Sequence, residues 1–174
     1  TIYGGECESY GVNSSYLVWQ PIWRGIFGID AAWSLTRQIN ILQAKLRVIN
    51  PSFVARLPLL GAVLNLEIPD NPLTQSLDAK LRKASLEALL VDCLRAESRR
   101  TPLVIVLEAC QWLDPLSHDL WEAIGLAIAD LPVFIVYTYR SQEETRLRAA
   151  RANTLPYYTE MQCAPLTAEE AAHF

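Results

Sequence analysis

The chain alternates between short runs that are continuously apolar and longer stretches in which apolar residues recur every three or four positions. The runs LVIVLE and PVFIVYTYR are typical of buried parallel strands. Between them, Asp114 and Pro115 form an N-cap and first-turn pair, and helical spacing of apolar residues follows. The pattern predicts a strand over 103–108, a helix over 115–131 and a strand over 132–139, joined by a crossover in a parallel sheet.

The remaining segments complete an α/β pattern. The opening IYGGECE predicts a strand over residues 2–8, and the stretch from about 20 to 98 shows the apolar spacing of several helices, separated by prolines and polar caps. Near the other end, YYTEMQCA predicts a last strand over about 157–164. We therefore expect one α/β domain, with a parallel sheet and a helical insertion between its first two strands.

Both ends of the sequence resemble interrupted elements. The chain opens inside a predicted strand without a methionine, and Thr167, Glu169 and Glu170 resemble the first turn of a helix. We therefore expect an internal piece of a longer protein, with a fold that is incomplete at both ends.

Composition and charge narrow the class of protein. Hydrophobic residues make up 51% of the 174 residues, which is ample for a core. The 15 basic and 19 acidic residues give a formal charge of -4 without long charged blocks, which argues against nucleic acid or a membrane surface as a partner of this segment. No apolar run approaches the roughly 18 residues that span a bilayer.

The cysteines indicate a reducing compartment. They are far apart, have no CxxC spacing and come with only two histidines, so a zinc site is not expected. We predict a cytoplasmic protein with reduced thiols. The cysteines are Cys7, Cys93, Cys110 and Cys163.

The strand over 103–108 ends on a carboxylate, Glu108. A carboxylate at the carboxyl end of a buried parallel strand can hold the Mg²⁺ ion that bridges the phosphates of a nucleotide. A second acid beside it would orient the attacking water, but the next residue is Ala109. The strand end therefore suggests nucleotide binding more directly than hydrolysis.

Glu108, the following QWLDPLS, a helix and a strand ending in YTYR together resemble the ATPase module of STAND-type signalling proteins. These are AAA+-related P-loop ATPases found beside adenylate or guanylate cyclase domains, beside kinase domains and in large regulators with tetratricopeptide repeats. The opening GECESYG, the segment LPLLGAVLNLEIPD and the closing APLTAEEA extend the resemblance over nearly the whole chain. It implies a P-loop NTPase-like fold, ATP and Mg²⁺ as ligands, and neighbouring domains of the same chain as partners.

The resemblance also implies roles for individual residues. Glu108 would bind Mg²⁺ and take part in catalysis. Arg140 would sense the γ-phosphate, the alternative being an arginine that simply leaves its strand for solvent. Gln111 stands where the family has histidine and retains hydrogen-bonding capacity. Asp114 would either cap its helix or touch the nucleotide.

Two residues depart from the family pattern: Ala109 stands where an aspartate is usual, and Gln111 where a histidine is usual. The sequence also contains no G-x-x-x-x-G-K-[ST] phosphate loop, which in the family lies just before the strand that opens this chain, so its absence fits the expected interrupted start. Two functions therefore stay open. One function is an ATP-binding regulatory switch of a multidomain signalling protein, in which hydrolysis stays open: Glu108 itself could take over water activation, or the switch could be slow or inactive. The other is a degenerate scaffold or interaction domain that does not hydrolyse nucleotide.

Overall fold

Three parallel strands form a sheet in the order β1–β2–β3 in the computed structural model, which describes residues 1–9, 11, 14–140 and 151–164. In register, Gly4 lies opposite Val106, and Ile105 lies opposite Ile135. The chain therefore has the α/β architecture and the parallel sheet that its apolar runs predict. The strands are β1 (Ile2–Glu6), β2 (Leu103–Glu108) and β3 (Val133–Tyr137).

Most of the helical residues lie between β1 and β2, and a short 3-10 helix and one α-helix connect β2 to β3. Within the described residues, none of the helices is both long and apolar enough to cross a membrane. The α-helices are α1 (Trp19–Phe27), α2 (Leu35–Ile49), α3 (Leu60–Leu64), α4 (Pro72–Gln75), α5 (Ala79–Ser98) and α6 (Pro115–Ala127). Among the described residues, 3-10 helices occupy Pro51–Leu59, Cys110–Trp112 and Arg151–Thr154.

The first helix, α1, packs against the first strand. Its apolar residues recur at the spacing of one helix face and are all buried, and the helix ends at Gly28, whose φ of 64° suits a glycine. At its start, the carbonyl of Val18 lies directly over Gly5 of β1. This close approach requires a residue without a Cβ atom at position 5. The buried residues of α1 are Trp19, Ile22, Trp23, Ile26 and Phe27.

The two faces of the sheet differ in exposure. On one face, Ile105 at the centre of β2 is fully buried, and the ring of Trp121 from α6 meets Tyr137 of β3 edge to face at 4.8 Å between centroids. On the opposite face, Ile2 and Phe134 retain 72% and 65% of their surface. Helices α1 and α6 therefore cover the first face, while the second is an exposed apolar surface.

Several element boundaries differ from the predicted ones. The first strand ends at Glu6 and not at residue 8, although the N–H of Cys7 still donates to the carbonyl of Glu108 at 2.9 Å. Helix α6 ends at Ala127 and not at residue 131; the chain then forms a turn in which the N–H of Leu131 donates to the carbonyl of Ile128 at 2.9 Å. Strand β3, predicted over 132–139, begins at 133 and ends at 137.

The strand predicted over about 157–164 is not formed, and these residues are irregular. The segment is fastened by side chains: the hydroxyl of Tyr139 donates to a carboxylate oxygen of Glu160 at 2.6 Å. Its apolar content does not form a buried face, since Met161 is exposed. The helix expected from Thr167 lies outside the described residues.

Replacing Gly5 by alanine should destabilise the fold strongly, because the new Cβ would lie 2.0 Å from the carbonyl oxygen of Val18. We expect a loss of roughly 3 kcal/mol, at the upper end of the usual range for overpacking. Gly4→Ala is the matched control, since its Cβ would meet nothing closer than the carbonyl oxygen of Val106 at 3.8 Å. Urea unfolding followed by tryptophan fluorescence measures both. Equal effects of the two substitutions would contradict the close approach.

Candidate functional site

The carboxyl ends of β1 and β2 bring two glutamates together. Glu6 is the register partner of Glu108, so both side chains project from the same face of the sheet, on strands roughly 4.8 Å apart. Both residues are exposed. Carboxylate oxygens are the protein ligands that hard divalent cations take, so the two side chains are candidate ligands of such an ion.

The turn that follows β2 is fastened to the end of β3. Ala109 has a left-handed backbone, with φ 55° and ψ 41°, and its N–H donates to the hydroxyl of Thr138 at 3.3 Å. The next N–H, of Cys110, donates to the carbonyl of Thr138 at 2.8 Å. Two backbone groups and not the side chain of residue 109 therefore fix the path of this turn.

Gln111 and Arg140 meet at the same edge of the sheet. The backbone N–H of Arg140 donates to the side-chain oxygen of Gln111 at 3.4 Å. Arg140 is exposed and lies three residues beyond the end of β3. The structure therefore brings three of the predicted site residues, Glu108, Gln111 and Arg140, to one end of the sheet.

Asp114, the fourth predicted residue, is occupied by backbone hydrogen bonds. It is 5% exposed, and one carboxylate oxygen accepts from Leu116 N at 3.1 Å and from Ser117 N at 3.0 Å, which caps α6. The other oxygen accepts from Tyr16 N at 3.2 Å. Because both oxygens are bound, we interpret Asp114 as a helix cap that also holds the loop before α1, and not as a nucleotide ligand.

Tyr16, whose N–H donates to Asp114, has an unusual backbone conformation. Its φ is 61°, a left-handed conformation that is unfavourable for a bulky side chain. Burial, followed by the negative charge of Glu87, raises the pKa of Tyr16 to about 12. The loop before α1 is therefore strained, and the hydrogen bond from Tyr16 to Asp114 helps to hold it in place.

The donor chemistry at the sheet edge fits a hard divalent cation. Mg²⁺ commonly takes one or two protein carboxylates and completes its shell with phosphate oxygens and water. Glu6 and Glu108 supply two such carboxylates. No group of three or more histidine, cysteine, aspartate or glutamate side chains suitable for a metal occurs within the described part of the chain. The phosphates of a ligand would therefore have to complete the coordination.

Sequence analysis proposed Glu108 as a site residue and did not single out Glu6, its register partner. The strand predicted over residues 2–8 would end at Glu8, and only the observed end of β1 at Glu6 puts this glutamate at the strand end. Parallel neighbouring strands place such ends at one edge of a sheet. The pairing between β1 and β2 across the helical insertion was needed to show that the two residues are partners.

Comparison with known proteins gives limited information. No protein-family model matches the chain, and no solved structure matches it. The chain is similar to an uncharacterized protein of Rhizobium meliloti (strain 1021), with 36% identity over 63 residues. That match covers 36% of this chain and 6% of the other protein, so the chain spans only a small part of the length of this relative.

Asp114→Ala should cost roughly 3 kcal/mol of stability, because it removes the cap of α6 and leaves the buried N–H of Tyr16 without an acceptor. Asp114→Asn should cost less, since its oxygen can still cap the helix. Asp78→Ala is the control for a simple cap: Asp78 is exposed, accepts from Leu81 N at 2.8 Å, and should cost about 1 kcal/mol. Urea unfolding gives the ranking, and an Asp114→Ala loss no larger than that of Asp78→Ala would contradict the double role.

Ala109→Gly should stabilise the protein by about 0.5–1 kcal/mol, because glycine adopts positive φ without the steric cost that alanine meets. Ala109→Asp should be tolerated, since aspartate is more common than alanine in this conformation. Ala123→Gly, inside α6, is the opposite control and should destabilise by about 1 kcal/mol. Thermal unfolding of the three variants measures the signs. A destabilising Ala109→Gly substitution would show that the left-handed turn is not strained.

Proposed function

We propose that this chain is part of a P-loop NTPase-like ATP-binding module that acts as a regulatory switch in a larger signalling protein. The observation that supports it best is the pairing of Glu6 with Glu108 at the carboxyl edge of a parallel sheet. Ligands of open α/β sheets bind outside the carboxyl ends of the strands. The resemblance of the QWLDPLS segment to STAND-type ATPases supplies the identity of the ligand, ATP with Mg²⁺.

In this proposal, Glu108 and Glu6 are the residues that would hold Mg²⁺. Their two carboxylates would supply charged oxygen ligands to the ion, and oxygens of the ligand and water would complete its shell. When bound, Mg²⁺ would neutralise negative charge on the transferred phosphoryl group. In the same proposal, Arg140 would respond to the charge of the γ-phosphate; the hydrogen bond from its backbone N–H to the side chain of Gln111 supports this role.

In this proposal, ATP hydrolysis is slow and ATP binding is the main activity. The methyl group of Ala109 cannot accept a proton or orient water, a role that typically contributes about 10²- to 10⁴-fold in rate. Glu108 would then have to activate the water as well as bind the metal. We therefore propose slow turnover, so that nucleotide occupancy and not rapid hydrolysis sets how the module packs on the neighbouring domains of the same chain.

A non-hydrolysing scaffold is the second candidate function, and Ala109 is the observation that favours it. The turn around Ala109 is fixed by backbone bonds to Thr138, so the fold does not require an acid at this position. A module that has lost its catalytic acid can keep its shape and serve as an interaction surface for neighbouring domains.

Glu108→Gln should weaken Mg²⁺-dependent ATP binding at least tenfold, because it removes a charged metal ligand. Glu6→Gln should weaken it by a smaller factor, and Glu67→Gln, on an exposed loop of the helical region, is the control that should leave binding unchanged. Titration of the full-length protein with a fluorescent ATP analogue, with and without Mg²⁺, measures the effects. Wild-type protein that binds no ATP in either condition would support the scaffold.

Phosphate release separates binding from turnover in the same proteins. Ala109→Asp should increase the rate at least tenfold if the missing acid limits hydrolysis. If neither Ala109→Asp nor Glu108→Gln alters ATP binding or phosphate release, this strand end is not the nucleotide site.

A further inference from the structure

The end of β3 places a third oxygen-bearing side chain beside the two glutamates of the candidate site. The N–H of Thr138 donates to the carbonyl of Leu107 at 3.0 Å, which continues the parallel ladder of β2 and β3 by one residue. Thr138 is therefore the neighbour of Glu108 on the β3 side, as Glu6 is its neighbour on the β1 side. Adjacent strands lie roughly 4.8 Å apart, so the three residues form one row across the sheet.

This row lies on the exposed face of the sheet, opposite to α1 and α6. Successive side chains of a strand point to opposite faces. Phe134 of β3 is exposed on this face, and Thr138, four residues further on, follows the same alternation and is also exposed. Glu108 lies on this face as well, since it is exposed and the residue before it in β2 is buried. A ligand can therefore reach Glu6, Glu108 and Thr138 together without displacing either helix.

The hydroxyl of Thr138 is bound to the turn that follows Glu108. It accepts a hydrogen bond at 3.3 Å from the N–H of Ala109, the residue directly after Glu108. A threonine hydroxyl that accepts one hydrogen bond still has its own proton to donate. The carboxylate of Glu108, its neighbour in the row, is an acceptor for that proton. Thr138 can therefore hold Glu108 in two ways, through the backbone of the next residue and through the side chain.

We infer that Thr138 is a positioning residue of the candidate site, whose hydroxyl donates to the carboxylate of Glu108 and holds it in the orientation that binds Mg²⁺. The inference rests on the proposed function, since it concerns the same metal site. A carboxylate held by a hydrogen-bond donor loses less freedom when the ion binds, so its affinity for the ion is higher. Thr138 differs in this respect from Glu6, which would bind the ion itself.

Thr138→Val removes the hydroxyl and keeps the shape of the side chain, while Thr138→Ser keeps the hydroxyl. The second bond of the turn, from the N–H of Cys110 to the carbonyl of Thr138, remains in both variants. The full-length protein is titrated with Mg²⁺ at a fixed concentration of a fluorescent ATP analogue. We expect Thr138→Val to raise the half-saturating Mg²⁺ concentration about tenfold and Thr138→Ser to stay within about twofold of wild type. Binding of the analogue without Mg²⁺ should not change. Thr36→Val, exposed on α2, is the control that should leave both measurements unchanged.

A double substitution tests whether Thr138 acts through Glu108. In a Glu108→Ala background, Thr138→Val should change the half-saturating Mg²⁺ concentration by less than about twofold, because the carboxylate that it positions is gone. A further tenfold loss in that background would show that Thr138 acts independently of Glu108 and would overturn the inference.

The wild-type titration separates this inference from the proposed function. If wild-type protein binds the analogue with Mg²⁺ and Thr138→Val needs the same Mg²⁺ concentration, Thr138 is not a positioning residue, while the nucleotide site stands. Equal losses in Thr138→Val and Thr138→Ser would overturn the inference too, because the hydroxyl would then not be the cause. Wild-type protein that binds no analogue overturns both. Urea midpoints show whether each variant folds, and Thr138→Ala, which also lacks the hydroxyl, decides the outcome if the valine variant does not.

Discussion

The arrangement of the sheet and its covering helices depends on the hydrogen bonds that the carboxylate of Asp114 accepts. It accepts hydrogen bonds from the start of α6 and from Tyr16, just before α1, across 98 sequence positions. The indole N–H of Trp19 adds a second bond, to the carbonyl of Ser117, at 3.1 Å. These are buried groups, so each would be costly to leave without a partner. The two helices that cover one face of the sheet are thereby fixed to each other at their first turns.

This connection also fixes the edge of the sheet that carries the candidate site. The N-terminus of α6 is reached from the end of β2 within a few residues, so the chain must turn sharply directly after Glu108. The turn uses the left-handed backbone of Ala109 and two N–H bonds to Thr138, which follows β3. The ends of β2 and β3 are thus held together, while the register with β1 brings Glu6 alongside Glu108.

The parts of the fold that depend on local pattern could be predicted from sequence. The run LVIVLE gave the bounds of β2, and Asp114 with Pro115 gave the start of α6. The strand predicted over about 157–164 was wrong, because these residues have strand propensity but neither a buried face nor a backbone partner. The pairing of Glu6 with Glu108 could not be predicted for a different reason: it arises from strand pairing across about a hundred residues, which no local pattern specifies.

The structure also explains how binding and hydrolysis could separate in such a module. The register that pairs Glu6 with Glu108 is set by the backbone ladder between β1 and β2, and the turn after Glu108 is set by main-chain groups. Neither depends on the side chain at position 109. Replacing an aspartate by alanine there would leave a left-handed residue with a steric cost of about 1–2 kcal/mol, without moving the carboxylate pair. On the proposed function, loss of the water-orienting acid is therefore compatible with a preserved metal and nucleotide site.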